Sequence, residues 1–534
     1  MSESEPRNEK KLFILFIFIF LLVLLIGSAF FLAWRFVKGS NTTPVSGTTP
    51  NPSSPGVSVP TPTSSSPGVS VPTPTSSSTG ESVPTPSPSS TGESVPTPTS
   101  SSTGESVTTS NPLNTKDVQR RISFGEKSLI PEPLSPIKQA GINAIATKKW
   151  KEAIAKLQES LEKKRNDPET LIFLNNAQIR DAKSYTLAVT VPLKNNANAS
   201  LEILRGVAQA QNEINSSSKK IQGVPLKVAI ASDDDAPEVA KQIARALVKN
   251  RDVLGVVGHY ASDVTLQAGQ IYTAAELVAI SPISTSVELS TNSKPYIFRT
   301  VPSDKVAAKK LTDYMIQNMQ QKKVAVFFSS KSGYSLSLKS EFIKAIKLAA
   351  GQVVDEFDLS DPNLSAAESV KTAINKDAQV LMLAANTGTL DQALQVVTVN
   401  EKRLKLLGGD DVYAPKTLQN GKDNAVDMVV AVPWHIDNDP NSSFLTISKQ
   451  LWGDVDVNWR TALAYDATQA LIAAISREPS RNGVQQALSS ENFSAIGAFD
   501  KIRFLKSGDR RDAEVQLVKV VGDRTTDYKF VKMP

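Results

Sequence analysis

After Lys183 the chain settles into an alternation that few architectures can accommodate. Short apolar runs recur at Tyr185–Val191, Leu226–Ala231, Val253–Val257, Lys323–Phe328, Gln379–Leu383, Leu404–Leu407 and Met428–Val432, with helix-like stretches such as Ala199–Asn215 and Pro237–Lys249 between them. Runs of Val, Ile and Leu without polar alternation are strands buried on both faces, and that requires a parallel sheet with helices above and below it. The segment from 184 to 534 is about 350 residues long, more than one such sheet and core usually hold, so two α/β lobes are expected.

The region before Lys183 reads very differently. Residues 1–11 are polar, and Leu12–Trp34 has no charged side chain and is mostly Leu, Ile, Phe and Val. As a helix it would extend roughly 34 Å, enough to cross a bilayer core. A cleaved signal peptide would have a shorter apolar core and a small-residue cleavage site in place of Phe30-Phe31-Leu32-Ala33-Trp34. We therefore expect an uncleaved single-pass anchor at 12–34. Arg7, Lys10 and Lys11 precede the span and Arg35 and Lys38 follow it, a weak positive-inside signal for a cytoplasmic 1–11.

Residues 40–113 contain no Lys or Arg and repeat a twelve-residue Pro/Ser/Thr unit four times, at 57–68, 69–80, 81–92 and 93–104. So little apolar surface cannot offset chain entropy, and the segment reads as a disordered tether biased to extended conformations. Residues 114–182 turn helical. Trp150, Ile154, Leu157 and Leu161 make one apolar stripe, Asn166-Asp167-Pro168 stops that helix, and another begins at Leu171. The run Gly141…Trp150…Pro168 resembles a tetratricopeptide-type hairpin. Because it spans scarcely one repeat, it is expected to dock on its neighbour rather than form a partner-binding array.

Composition removes several functions. There is no cysteine and there are only two histidines, His259 and His435. Thiol catalysis, disulfide scaffolds and Cys- or His-rich metal centres are therefore excluded. The 59 basic and 53 acidic residues leave a net charge of +6, too dilute for a nucleic-acid surface. No nucleophile elbow, phosphate loop or dinucleotide fingerprint appears, Gly255-Val-Val-Gly258 lacking the required spacing. The chain is not expected to be an enzyme or to carry a cofactor.

In open α/β sheets ligands sit beyond the carboxyl ends of the strands. Val253–Val257 leads through Gly258 to Ser262, which would lie in the first turn of a helix. There it either joins the free backbone amides to hold an anion or simply caps the helix. The next exit carries Ile283, Ser284 and Thr285. Thr285 and Glu288 have capping-box spacing, so Thr285 too has a structural alternative. Asp233-Asp234-Asp235 follows another strand and reads as a solvated strand end, a pocket rim or a cation site.

Taken together, several segments resemble the type I periplasmic solute-binding proteins, specifically the branched-chain amino-acid receptors of ABC importers, including membrane-anchored cyanobacterial forms. They are Ala210-Gln-Asn-Glu-Ile-Asn215, Asp233-Asp234, Val256-Val-Gly-His-Tyr-Ala-Ser262, Ile280-Ser-Pro-Ile-Ser-Thr-Ser-Val-Glu-Leu289 and Phe298-Arg-Thr-Val-Pro-Ser-Asp304. Gly333-Tyr334, Leu407-Gly-Gly-Asp410, Tyr465-Asp-Ala467 and Gly497…Phe499-Asp500…Gly508-Asp509-Arg510 continue in order. The resemblance covers nearly all of 184–534.

The resemblance implies two lobes joined by three hinge strands, with a small-molecule ligand between them. It implies that Ser262 and Thr285, with the neighbouring Ser284, hold an amino acid's α-carboxylate, and that the Ile283 carbonyl accepts from its ammonium. Tyr334 would cover the ligand from the opposite lobe, Asp410 would balance the ammonium, and Asp304 would make a hinge-side polar contact. Asp411 adjoins Asp410, and either can face the cleft. Trp459 and Arg460 would line the side-chain end of the pocket, or Arg460 would form a surface salt bridge. The first loop, Pro192–Asn198, lacks the family's aromatic contact, and Tyr334-Ser335 stands where Tyr-Gly is usual.

The expected function is a tethered receptor, outside the cytoplasm or in the periplasm, that delivers an amino acid or similar polar solute to ABC permease subunits. A sensor or scaffold using the same clamshell is the alternative.

Overall fold

The computed structural model describes residues 115–534, apart from 132, 219, 291–294 and 524. The expected membrane span at 12–34 and linker at 40–113 lie outside the described residues. Among the described residues no helix is long and apolar enough to cross a membrane.

The chain enters through helix α1 (Thr115–Arg120) and a two-residue strand, β1 (Ile122–Ser123). Three helices follow: α2 (Pro136–Ala146), α3 (Trp150–Lys163) and α4 (Pro168–Ile179). The predicted stripe lies on α3, with Leu157 fully buried. Asp167 ends the connection by accepting from Thr170 N at 3.0 Å, capping α4 just before its proline. Buried Lys138 on α2 pairs with Asp167 at 2.9 Å and Glu169 at 2.8 Å, fastening α2 to the start of α4.

Helix α4 is buried on nearly every side, unlike the amphipathic hairpin arm expected of a free-standing repeat. Asn176 on α4 reaches strand β3 (Leu226–Ser232), donating to Val228 O at 2.8 Å while accepting from Val228 N at 3.1 Å. The helical segment is thus three helices built into the neighbouring lobe.

Lobe one contains β2 (Tyr185–Val191), α5 (Ala197–Ser216), β3, α6 (Pro237–Lys249), β4 (Val253–Val257), α7 (Ser262–Ala274), β5 (Ala279–Ser281) and β6 (Ile297–Arg299). Its sheet order is β1-β3-β2-β4-β5-β6. Strands β2 to β6 run parallel, and β1 adds an antiparallel edge through Ile122 opposite Ala231.

Lobe two follows with α8 (Asp304–Asp313), β7 (Lys323–Phe328), α9 (Gly333–Leu348), β8 (Gln352–Asp358), α10 (Ala366–Asn375), β9 (Val380–Ala384), α11 (Leu390–Asn400), β10 (Lys405–Gly408), α12 (Pro415–Ala425) and β11 (Val429–Val432). The chain then returns to lobe one with α13 (Ser443–Trp452), α14 (Trp459–Arg477), α15 (Arg481–Ser489) and a small β12–β13 ribbon (Ala495–Ile496, Lys501–Ile502). Finally β14 (Gln516–Asp523) and β15 (Thr526–Lys532) complete the second sheet, in the order β15-β14-β11-β10-β9-β7-β8.

The chain therefore crosses between the lobes three times: after β6, after β11 and after β13. Two buried arginines tie these crossings together. Arg299 donates to the carbonyls of Thr285 and Ser286, both at 2.7 Å, and pairs with Asp509 at 2.6 Å. Arg510 pairs with Asp466 at 2.7 Å and with Asp500, and donates to Thr300 O at 3.2 Å. These charge-assisted contacts explain why the Phe298–Asp304 and Gly508–Arg510 segments carry polar residues in an otherwise apolar interior.

Candidate ligand site between the lobes

Seven strand exits converge on one cavity of about 300 Å³. From lobe one, Asn195 and Asn196 follow β2, Asp235 follows β3, Tyr260, Ala261 and Ser262 follow β4, and Ile283 follows β5. From lobe two, Ser332 and Tyr334 follow β7, Asn386, Thr387 and Gly388 follow β9, and Asp410 and Asp411 follow β10. The geometry is that of a ligand site at the carboxyl edge of two facing parallel sheets.

Of the residues singled out from sequence, Ser262, Ile283, Tyr334 and Asp410 line this cavity. Ser262 is not the helix cap: Ala261 occupies that position on α7, and the Ser262 hydroxyl accepts from Ser286 N at 3.3 Å. Thr285 forms no capping box either, because Ser286 caps the short turn at Val287–Leu289. The Thr285 hydroxyl and Oδ2 of Asp304 are both buried, and neither makes a hydrogen bond of ordinary length and angle. Burial pushes Asp304 up to about 6; the Ser337 and Thr285 hydroxyls and the Arg299 charge oppose the shift.

Three expectations change. Ser284 turns away from the cavity, its hydroxyl donating to Tyr260 O at 2.9 Å and lying 2.7 Å from that of Thr265, so it braces the loop. Trp459 is a fully buried core residue rather than a pocket wall, because it begins α14 where that helix meets lobe one. Arg460 is no surface residue. Its guanidinium stacks over the Trp459 ring, 4.3 Å from the centroid, and reaches Asp411 of lobe two at 3.0 Å.

The two adjacent carboxylates divide their work. Asp410 accepts from the Tyr334 hydroxyl at 2.7 Å. That approach requires Gly409, since a Cβ there would stand 2.5 Å from the Tyr334 hydroxyl oxygen. Burial, then the Asp411 charge, pushes Asp410 up to about 7; burial and Asp410 hold the Tyr334 phenol well above its usual range. Asp411 receives Arg460, the Tyr260 hydroxyl at 3.1 Å and Thr387 N at 2.9 Å. Burial works against the Arg460 cation, but Tyr260 and Asp411 outweigh it and hold its pKa above the ordinary value.

These contacts bridge the cleft, so the lobes are closed on each other. Two more contacts do the same: Gly333 N donates to Asp263 Oδ2 at 2.8 Å, and Val287 N donates to the Ser337 hydroxyl at 3.1 Å.

None of the three consecutive aspartates is a solvated strand end. Asp233 is buried against His259 at 2.5 Å, Asp234 pairs with Arg121 at 2.5 Å, and Asp235 lines the cavity. Asp235 accepts from Ala261 N at 3.2 Å, and burial with the Asp233 charge pushes it up to about 7. The strand-exit rule that selected Ser262 applies equally to Asp235, so the signal for it was present. Tyr260 and Thr387 carried no comparable mark.

A family model described as periplasmic binding protein matches residues 186–525, the span that builds both lobes and the whole cavity. The chain belongs to the periplasmic binding protein family. An amino acid binding protein of Pseudomonas aeruginosa is 33% identical over 132 residues, covering 24% of this chain and 35% of that protein. A leucine-specific-binding protein of Salmonella typhimurium is 25% identical over 279 residues, covering 52% and 74%.

Among solved structures, this periplasmic binding protein shares its fold with an ABC transporter substrate-binding protein from Desulfitobacterium hafniense in complex with Leu. The TM-score is 0.56 at 22% identity, covering 65% of this chain and all of that one. A leucine binding protein from Thermotoga maritima gives a TM-score of 0.57 at 20% identity, with 65% and 97% covered.

Proposed function

We propose that this chain is a membrane-tethered receptor that closes on an α-amino acid outside the cytoplasm and presents it to an ABC permease. The observation that carries the reading is the cavity itself, lined by strand exits of both lobes, with Ser262 and the α7 N-terminus on one wall and Asp410 and Asp411 on the other. The ligand carboxylate would sit at the α7 N-terminus, where helix-start amides favour negative charge, with Ser262 donating to it and the Thr285 hydroxyl, just behind the lining, turning to do the same. The ammonium would meet Asp410 and pass under Tyr334. The names of the relatives support the ligand class, since those proteins are an amino acid binding protein and a leucine-specific-binding protein.

Closure removes water from around a zwitterion and strengthens each hydrogen bond to it. The uncharged run at 12–34 would anchor the receptor, and the proline-rich segment at 40–113 would give it reach toward a permease. The test is a thermal-shift and calorimetric screen of the full-length protein in detergent against the twenty amino acids. At a hundredfold excess over its Kd, a ligand specific for the native state adds about 2.7 kcal/mol of stability. No shift with any amino acid, from folded protein, would refute the reading.

A further inference from the structure

The cavity's charge does not balance. Asp235, Asp410 and Asp411 line it, and among the described residues no Lys, Arg or His does. Asp411 has the Arg460 cation at 3.0 Å. Asp410, only 6% exposed, receives just the Tyr334 hydroxyl at Oδ1 among the described residues, which leaves Oδ2 for a guest. Asp235 has the single amide of Ala261, and among the described residues no cation pairs with it. Its two neighbours in sequence are already committed, to His259 and Arg121.

An amino-acid zwitterion brings one ammonium and one carboxylate. With the carboxylate at the α7 N-terminus and the ammonium on Asp410, Asp235 stays uncompensated, and a buried carboxylate without a partner is costly. The apolar part of the lining is the Tyr260 and Tyr334 rings with Ala261 and Ile283, and aromatic faces accept a cation as well as an apolar chain. We infer that the ligand is an α-amino acid with a cationic side chain, an amine or guanidinium that pairs with Asp235. This rests on the amino-acid receptor reading above and sharpens it. Burial and the Asp233 charge raise Asp235 to about 7, a shift that a cation beside it would reverse.

The experiment is calorimetric titration of the full-length protein with L-lysine, L-arginine, L-norleucine, L-leucine and cadaverine. Norleucine has lysine's straight side chain without the terminal ammonium, and cadaverine is lysine without its carboxylate. We expect lysine or arginine to bind at least 100-fold tighter than norleucine, leucine and cadaverine. Asp235→Asn should shrink the lysine-to-norleucine ratio below tenfold while leaving norleucine affinity within threefold. Norleucine or leucine binding as tightly as lysine would overturn the cationic assignment and leave the amino-acid reading standing. Cadaverine matching lysine would overturn the carboxylate seat. Binding of none of the amino acids, by protein that melts cooperatively, would remove both readings. If Asp235→Asn does not fold, the lysine-to-norleucine ratio of the unaltered protein decides.

Discussion

Arg460 crosses from α14 to Asp411 on the opposite lobe, so removing its charge should penalise the closed form alone. In the substitution Arg460→Met the side chain keeps an unbranched apolar stem beside Trp459 but loses the guanidinium that reaches Asp411. Taking one partner from a buried ion pair costs about 3–5 kcal/mol. Asp411 keeps the Tyr260 hydroxyl and the Thr387 amide and hydroxyl as donors. Those remaining donors bring the loss below that range, to about 2–3 kcal/mol. With the lobes apart, Asp411 is hydrated and the same substitution costs little. The difference falls on the closing equilibrium and, through it, on affinity: ligand binding should weaken by about 30- to 150-fold. Calorimetry reads the affinity, small-angle scattering of the unliganded protein reads the shift toward an open form, and thermal unfolding checks that the fold survives. Adding Asp411→Asn removes the stranded charge and should restore most of the lost affinity. An Arg460→Met protein that binds within threefold of the unaltered chain, or no recovery in the double variant, would refute the latch.

Other outcomes follow from the same geometry. Thr285→Val removes a buried hydroxyl that lies by Asp304 but makes no hydrogen bond of ordinary geometry, so melting temperature should change little while amino-acid affinity drops about 10- to 100-fold. Equal affinity in the two proteins would rule out the hydroxyl as a carboxylate donor. Gly333→Ala would put a Cβ 2.3 Å from Asp263 Oδ1 and displace the 2.8 Å contact across the cleft, weakening binding about tenfold or more without loss of stability. A crystal structure showing that contact intact would defeat the argument. Asp410 and Asp235 are both raised to about 7, so the folded chain holds more protons than the unfolded chain between about pH 4 and 7. Their contribution to the stability of the unliganded protein is full below that window and lost as pH rises through 7. Melting temperature should fall across that range, and Asp410→Asn should flatten the fall. Amino-acid affinity should rise over the same interval with proton release, measured by titration in buffers of different ionisation heat.

The sheet interiors were legible because a strand covered on both faces leaves an unbroken apolar run. Tyr185–Val191, Val253–Val257 and Lys323–Phe328 end where the structure ends them. Strand β8 escaped because its sequence, Gln-Val-Val-Asp-Glu-Phe-Asp, lies at a sheet edge and is largely half-buried. The β14–β15 ribbon mixes Lys and Asp with Val for a similar reason. Within the site, strand exits brought Ser262 and the Ile283–Thr285 loop to attention, and the family resemblance brought Tyr334. Arg460 was indecipherable from spacing alone. Whether it meets solvent or Asp411 depends on how two lobes close, and no local pattern encodes that relation. The Asp410 and Asp411 ambiguity resolves in a way periodicity cannot express, since both side chains are used, one bonded to Tyr334 and the other to Arg460.

Strand β1 gives the molecule a fixed jaw and a moving one. The described chain begins at α1, and within a few residues it is stitched into lobe one through the β1–β3 edge and the Arg121–Asp234 ion pair. Helix α4 then clamps the same sheet through Asn176. Whatever restrains the residues upstream therefore restrains lobe one, and lobe two hangs from it by three crossings. Arg121 grips Asp234, the immediate neighbour of Asp235 on the cavity wall. A pull on the leading end of the described chain would arrive one residue from the cavity wall.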